Sequence, residues 1–214
     1  MPRSLLRSGD SGIWIPRFLL RESFIVMKPR SHELLERGNT LLLVIDLQEP
    51  FLRNIHHPEL LLSRCKFLLE AATVLGVPVI ASTQYEERMG PLIPEIQALM
   101  PAGTPDPVKK ITFSAAATHE FTELVASYDR EQILICGVET HICVAQTALD
   151  LAHLDYQVHV AVDAVSSRSF EMHKLGMEKM RDCGILPNAA EGAVMELLYE
   201  AGTPDFKSIL RLIK

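Results

Sequence analysis

From residue 40 onward the chain alternates short apolar runs, rich in β-branched residues and leucine, with longer segments of helical period, and this alternation constrains the fold more than any other feature. "TLLLVIDLQ" stays apolar up to Asp46, the pattern of a strand covered on both faces of a parallel sheet. "PELLLSRCKFLLEAATVLG" has apolar residues at helical spacing, Pro58 near its start and Gly76 as its stop. "VPVIAST" reads as strand two, "PLIPEIQAL" as a short helix or turn, and "VKKITFS" as strand three. A helix over "THEFTELVASYD", with Thr118 as N-cap, leads to strand four, "QILICGV". "THICVAQTALDLAHLD" is its helix, "QVHVAVDAVS" strand five, and "SFEMHKLGMEKMRDCG" the next helix. "ILPNAAEGAVMELLYEAG" gives a sixth short strand and a helix, followed by the helical tail "TPDFKSILRLIK". The pattern predicts an α/β fold, a single three-layer α/β/α domain around a central six-stranded, mainly parallel, Rossmann-like sheet with right-handed crossovers.

The length of 214 residues suits one domain, and 48% hydrophobic content is ample for its core. A formal net charge of -6 leaves no basic footprint for nucleic acid or an anionic membrane, so a small-molecule substrate is the expected partner. Cys65, Cys136, Cys143 and Cys183 form neither a CxxC motif nor a dense disulfide framework, which points to a reducing, cytoplasmic setting. No apolar run is long enough to span a membrane. The first 26 residues differ, with Arg3, Arg7, Arg17 and Arg21 against Asp10 and Glu22 and no clear periodicity. They read either as a transit-type peptide or as an extension ahead of Met27, with the extension favoured for want of an amphipathic face. The division expected is an extension over 1–38 and a domain over 39–214.

In an open parallel sheet, ligands bind beyond the carboxyl ends of the strands. Asp46 ends strand one, "STQY" ends strand two, Lys109 and Lys110 lie on strand three, strand four runs into "GVETHIC", and Asp163 is placed at the end of strand five. Singly, each has a plain structural explanation: Asp46 as a helix cap, Lys110 as an edge charge, Cys143 as a small packing residue. Jointly, a carboxylate, an ammonium and a thiol at one sheet edge are harder to ascribe to packing. With Thr140 as N-cap, Cys143 falls in the first helical turn, where the helix dipole is expected to lower a thiol pKa. His141 is two residues away and faces elsewhere, so a base from another strand is expected. Cys136 sits inside strand four as a core residue, and a Cys136–Cys143 redox pair is the lesser reading.

These residues also carry a resemblance. The chain from about Asn39 to its end resembles the isochorismatase-like hydrolases, α/β cysteine hydrolases that include nicotinamidases and N-carbamoylsarcosine amidases. The features are "LLLVIDLQEPF", "KITFS" with its lysine three residues before Phe113, and "CGVETHICVAQTALDL". "STQYEERMGPLIPEI", "QVHVAVDAVSSRS" and "PDFKSILRLIK" look most like the isochorismatase-domain-containing proteins of poorly defined substrate. The resemblance implies an Asp46–Lys110–Cys143 triad, with Lys109 facing the other way. It also implies a cis peptide at Val138-Glu139 and an oxyanion hole from the backbone amides of Glu139 and Cys143. The implied activity is metal-independent hydrolysis of a small amide, carbamoyl or related C-N bond through a thioester-type intermediate, without a cofactor, in a homo-oligomer.

Two departures refine this. "TQYEERMGPL" lacks the histidines of a nicotinamidase metal site, so no metal is expected. Isochorismatases that cleave a vinyl ether do not carry the nucleophilic cysteine, so Cys143 argues against hydrolysis of an isochorismate-like ether. Gln48, Phe51, Tyr85, Phe113 and Thr140 are placed at the substrate pocket, with Gln48 also read as a support for the loop after Asp46 and the two phenylalanines also read as core. His56 and His57 read as a solvated loop, and Asp163 as a cap for the "SSRS" segment. A catalytically idle member that binds a metabolite or a protein stays open as the reading from another class.

Overall fold

Strands β1 (Thr40–Ile45), β2 (Val79–Gln84) and β4 (Gln132–Val138) are buried at every residue. Because side chains alternate across a strand, such strands need a layer of structure on each face. The computed structural model describes residues 30–213 and supplies both layers. The reading of residues 1–26 lies outside the described residues.

In chain order, β1 is followed by α1 (Glu49–Leu52), α2 (Pro58–Leu75), β2, α3 (Glu86–Met89), α4 (Pro94–Gln97) and β3 (Val108–Lys110). Then come α5 (His119–Ser127), β4, α6 (Ala145–His153), β5 (Gln157–Ser166), α7 (Phe170–Asp182), β6 (Leu186–Asn188), α8 (Ala190–Leu198) and α9 (Pro204–Ile213). The sheet order is β3-β2-β1-β4-β5-β6 and every pairing is parallel, so the sheet is wholly rather than mainly parallel. Glu33–Lys214 forms one compact unit, in which Leu35 is fully buried and the Glu36 amide donates to Gln132 Oε1 at 2.7 Å.

The period-two pattern within β1 sorts its side chains between two cores. Leu42 and Val44 join Leu134 and Cys136 beneath α2, α8 and α9. Leu41, Leu43 and Ile45 join Ile133, Ile135, Phe121 of α5, Leu151 of α6 and Met180 of α7 on the opposite face. Burying side chains of this size stabilises by about 1.5–3 kcal/mol each relative to exposure, and that holds both helical layers to the sheet. Among the described residues no helix is long and apolar enough to cross a membrane.

Some helix ends differ from their sequence reading. Thr118 precedes α5 without a capping bond, and its hydroxyl pairs instead with that of Thr112 at 3.2 Å. β5 continues past Asp163 to Ser166, and Asp163 accepts from the Ala190 amide at 2.7 Å at the start of α8 and pairs with Arg64 at 3.3 Å. The cap therefore serves a helix far along the chain, a contact that only the sheet brings about.

Gly137 holds the tightest approach near the sheet edge. Its φ is +120°, and a Cβ there would lie 2.0 Å from the Ile45 carbonyl oxygen of β1. Gly137→Ala is therefore expected to destabilise by at least about 3 kcal/mol, since neither backbone can retreat without breaking the β1–β4 ladder. Urea denaturation of variant and wild type measures it, and a loss within about 0.5 kcal/mol would show that the ladder can give.

Candidate active site

The strand order reverses between β1 and β4, and the carboxyl ends of these strands open a crevice. Asp46 follows β1 directly with a left-handed φ of 52°, a strained conformation for a residue with a Cβ and one that turns the chain sharply off the strand. Its side chain is fully buried. Asp46 Oδ1 accepts from Ser82 Oγ at 2.8 Å, and Oδ2 accepts from Lys110 Nζ at 2.7 Å.

Lys110 is placed by the alternation of β3, whose pattern is buried, exposed, buried. Lys109 faces outward and pairs with Glu86 at 2.6 Å, whereas Lys110 turns inward. The Lys110 ammonium also donates to Gln84 Oε1 at 2.6 Å and approaches the carbonyls of Phe113 at 3.2 Å and Thr112 at 3.3 Å. Three N–H donors for four oxygens leave the two longer contacts to share one proton. The cation is fixed from several sides. Gln84 is in turn oriented by its own Nε2 bond to the Ile111 carbonyl at 2.8 Å.

Gln48 braces the loops around this pair. Its Oε1 accepts from the Gln84 amide at 2.7 Å, and its Nε2 donates to the carbonyls of Gln84 and Gly90. One buried side chain thus ties the segment after β1 to the end of β2, in keeping with its reading as loop support.

After β4 the Val138-Glu139 peptide is cis. Thr140–Val144 then forms a π-helical turn before α6 begins at Ala145, so Cys143 stands in a widened turn and not in the first turn of a regular helix. Thr140 makes no cap. Its hydroxyl pairs with His173 Nδ1 of α7 at 3.0 Å, and His141 Nδ1 pairs with Ser167 Oγ at 2.9 Å. Helix α7 can lie this close because Gly176 has no side chain; a Cβ there would meet the His141 Cα at 2.8 Å. The turn bearing Cys143 is thereby pinned from both sides.

The expectation of a lowered thiol pKa is corrected. Burial and then the Asp46 charge push Cys143 up, Lys110 opposes them, and the result is about 12. Asp46 and Cys143 line the same cavity and the charges of Asp46 and Lys110 both act on the thiol, so the three groups stand together. Desolvation outweighs the favourable end of a short turn. Cys136 packs in the core on the other face of the sheet and neighbours Cys65, which separates it from Cys143.

A cavity of about 310 Å³ opens over the thiol. Asp46, Gln84, Glu139, Cys143 and Arg168 line it together with the apolar Phe51, Tyr85, Met89, Ile111, Phe113, Val138 and Ile142. Of the residues read from the sequence, Asp46, Phe51, Tyr85, Phe113, Glu139 and Cys143 reach this wall, Lys110 lies behind it, and Gln48 and Thr140 stand beside it. Gln84, Met89, Ile111, Ile142 and Arg168 were missed. Gln84 ends β2, so the strand-end rule could have found it; Arg168 lies two residues past β5, and its pairing with Glu139 across the fold has no local signal. His56 and His57 lie in a loop, His57 exposed, with their rings tilted by 59° and centroids 4.0 Å apart, and with Phe170 and His173 they line a separate cavity of about 220 Å³. Among the described residues no three His, Cys, Asp or Glu gather to hold a metal ion.

A doubly wound parallel sheet with a small cleft at its switch point defines an α/β protein with a ligand site at its strand ends. Residues 40–191 match the Isochorismatase domain, and the chain belongs to that family. It is 36% identical over 176 residues to isochorismatase domain-containing protein 2A of Mus musculus, covering 82% of this chain and 83% of that protein. Among solved structures it is similar to the MAR1 ribonuclease of Caenorhabditis elegans, with TM-score 0.79, 30% identity and coverage of 84% of this chain and 92% of that one. The Escherichia coli YcaC gene product, an octameric hydrolase of unknown specificity, shares the fold with TM-score 0.76, 22% identity and coverage of 86% and 97%.

Two expectations follow from the charges. Asp46→Asn removes the carboxylate that keeps the proton on Cys143 while Lys110 remains, so alkylation of Cys143 by iodoacetamide at pH 8 is expected to become faster. Peptide mass spectrometry reads this against the exposed Cys183, and an unchanged Cys143 rate would show that burial alone holds the thiol. Lys110→Met leaves Asp46 as an unpaired buried carboxylate and is expected to cost roughly 3–5 kcal/mol in urea denaturation, far more than Lys109→Met.

Proposed function

We propose that this protein is a cysteine hydrolase of a small-molecule amide, carbamoyl or related C-N bond, with Cys143 as nucleophile, Asp46 as proton carrier and Lys110 as fixed cation. The observation that carries the reading is the buried Asp46–Lys110 pair beside the buried Cys143 thiol, with Asp46 and Cys143 both in the wall of one small cavity. Metal chemistry has no part in the sequence of steps.

A thiol with a pKa of about 12 is not ionised beforehand at neutral pH. Its proton passes to Asp46 as Cys143 Sγ forms a bond to the substrate carbonyl carbon. The oxyanion that develops is stabilised by the backbone amides of Glu139 and Cys143, two residues that line the cavity. The C-N bond then breaks, Asp46 gives the proton to the departing ammonia or amine, and a thioester remains on Cys143. Water attacks the thioester as Asp46 takes its proton; the C-S bond breaks and Asp46 returns the proton to sulfur. The net change is amide plus water to acid plus amine.

Lys110 holds the Asp46 carboxyl in place through their ion pair and stabilises the thiolate as it forms and leaves. Its contacts with Asp46, Gln84 and two carbonyls suit it to hold position more than to transfer a proton. The name ribonuclease belongs to the nematode neighbour; here the rim cation Arg168 is already paired with Glu139, which leaves a phosphate backbone little to bind. A homo-oligomer is part of the proposal, after the octameric E. coli neighbour. A second reading, a catalytically idle metabolite binder, has in its favour the firmly protonated resting thiol.

Ammonia release from a panel of small amides and carbamoyl compounds separates the two. The expectation is release from at least one compound, reduced by about 10³-fold or more in Cys143→Ala. Equal release by the variant would remove Cys143 from the chemistry, and no release from any compound would favour the idle reading.

A further inference from the structure

The hydrolase reading leaves open what charge the substrate bears, and the cavity rim speaks to it. Arg168 is the cation that reaches the wall, with a side chain 62% exposed. Its guanidinium is engaged twice by Glu139, with Nε to Oε2 at 3.1 Å and Nη2 to Oε1 at 2.7 Å. The Arg168 backbone amide adds a third bond to Glu139 Oε2 at 2.9 Å. Burial pushes the Glu139 carboxyl up, but the side-chain and backbone hydrogen bonds of Arg168 together outweigh it and hold Glu139 below the usual carboxylate range. Both groups are therefore charged at neutral pH, and their charges cancel.

The other charged side chain in the cavity wall, Asp46, is neutralised as well. Asp46 is paired with Lys110 at 2.7 Å, both side chains being almost wholly buried. Apart from Gln84 and the Tyr85 hydroxyl, what is left facing a ligand is apolar: Phe51, Met89, Ile111, Phe113 and Ile142 among others. An anionic or cationic substrate entering such a space gives up hydration and meets no uncompensated partner, an unfavourable exchange. A neutral amide loses little and keeps its one polar end at the thiol. At about 310 Å³ the cavity stands at the small end of the range for ligand sites.

Resting on the hydrolase reading above, we infer that the substrate is a compact, uncharged, largely apolar primary amide or carbamoyl compound, and that the Glu139–Arg168 pair sets this specificity by occupying the one cation that, among the described residues, lines the cavity. Dicarboxylates of the isochorismate type are excluded by the same pair. Glu139 acts at the rim through its side chain, separately from any part its backbone amide plays at the thiol.

The test uses three probes of nearly one shape: benzamide, 4-acetylbenzamide and 4-carbamoylbenzoate. The acetyl compound is the uncharged match in size for the carboxylate. Binding is measured by thermal-shift titration of Cys143→Ala, which cannot turn the probes over, and ammonia release is measured with the wild-type chain. The neutral probes are expected to bind at least about tenfold more tightly than the carboxylate, a difference of about 1.4 kcal/mol. Glu139→Gln, which frees the Arg168 charge, is expected to shift the ratio toward the carboxylate by about tenfold or more. If that variant does not fold, the wild-type comparison still decides. Binding of 4-carbamoylbenzoate equal to or tighter than 4-acetylbenzamide, or no binding of any probe, would overturn the inference. Preferential binding of the neutral probes with no ammonia released from any amide would retain the charge selection and overturn the hydrolase reading alone.

Discussion

A carboxylate and an ammonium taken out of water cost several kcal/mol each, and Asp46 and Lys110 withstand that cost only because each meets the other with its remaining valences satisfied. Ser82 takes the second Asp46 oxygen, and Gln84 with two carbonyls takes the other protons of Lys110. These partners come from β1, β2, β3 and the chain beyond β3, so the pair can form only when the parallel sheet is in register. The fold and the site are in this sense one requirement. A register slip of one residue on β3 would turn Lys110 outward and Lys109 in.

The same pair governs the thiol. Lys110 alone would favour a thiolate on Cys143, yet burial and the Asp46 charge prevail and keep the sulfur protonated. That balance suits a nucleophile whose proton moves only as the bond to carbon forms, with Asp46 in the same cavity wall to receive it. It also protects a buried cysteine from indiscriminate reaction, whereas Cys183 lies exposed at the end of α7. The balance of charges at the floor is repeated at the rim by Glu139 and Arg168, and between them the two pairs leave a cavity that is charged in its parts and neutral in sum.

Much of this was legible in the sequence because it depends on local pattern. The continuous apolar run before Asp46 could be satisfied only by a doubly covered strand, and the one-residue alternation of β3 separated Lys110 from Lys109. The features that escaped depend on contacts across the fold. Thr140 has the composition of a helix cap, but the π-helical turn and the nearness of His173 divert its hydroxyl, and nothing in "ETHICV" reports α7, a helix that follows only after α6 and β5. Gln84 resembles any polar residue at a strand end until Lys110 is seen to lie against it. Arg168 follows a strand that runs three residues beyond Asp163, and Asp163 itself caps α8, a helix brought near by the β5–β6 pairing. The sign of the Cys143 pKa shift was missed for a physical reason: a short turn offers a weak dipole, while desolvation depends on the whole surrounding core.

The central claim is that Cys143 carries the acyl group in turn, with Asp46 and Lys110 serving it. Intact-protein and peptide mass spectrometry of the enzyme, acid-quenched within the first turnovers on an amide it hydrolyses, tests this most directly. The account expects an added mass equal to the acyl group on the peptide containing Cys143, absent from the Asp46→Asn protein. Product formed at full rate with no adduct on Cys143, or with the adduct on another residue, would contradict it.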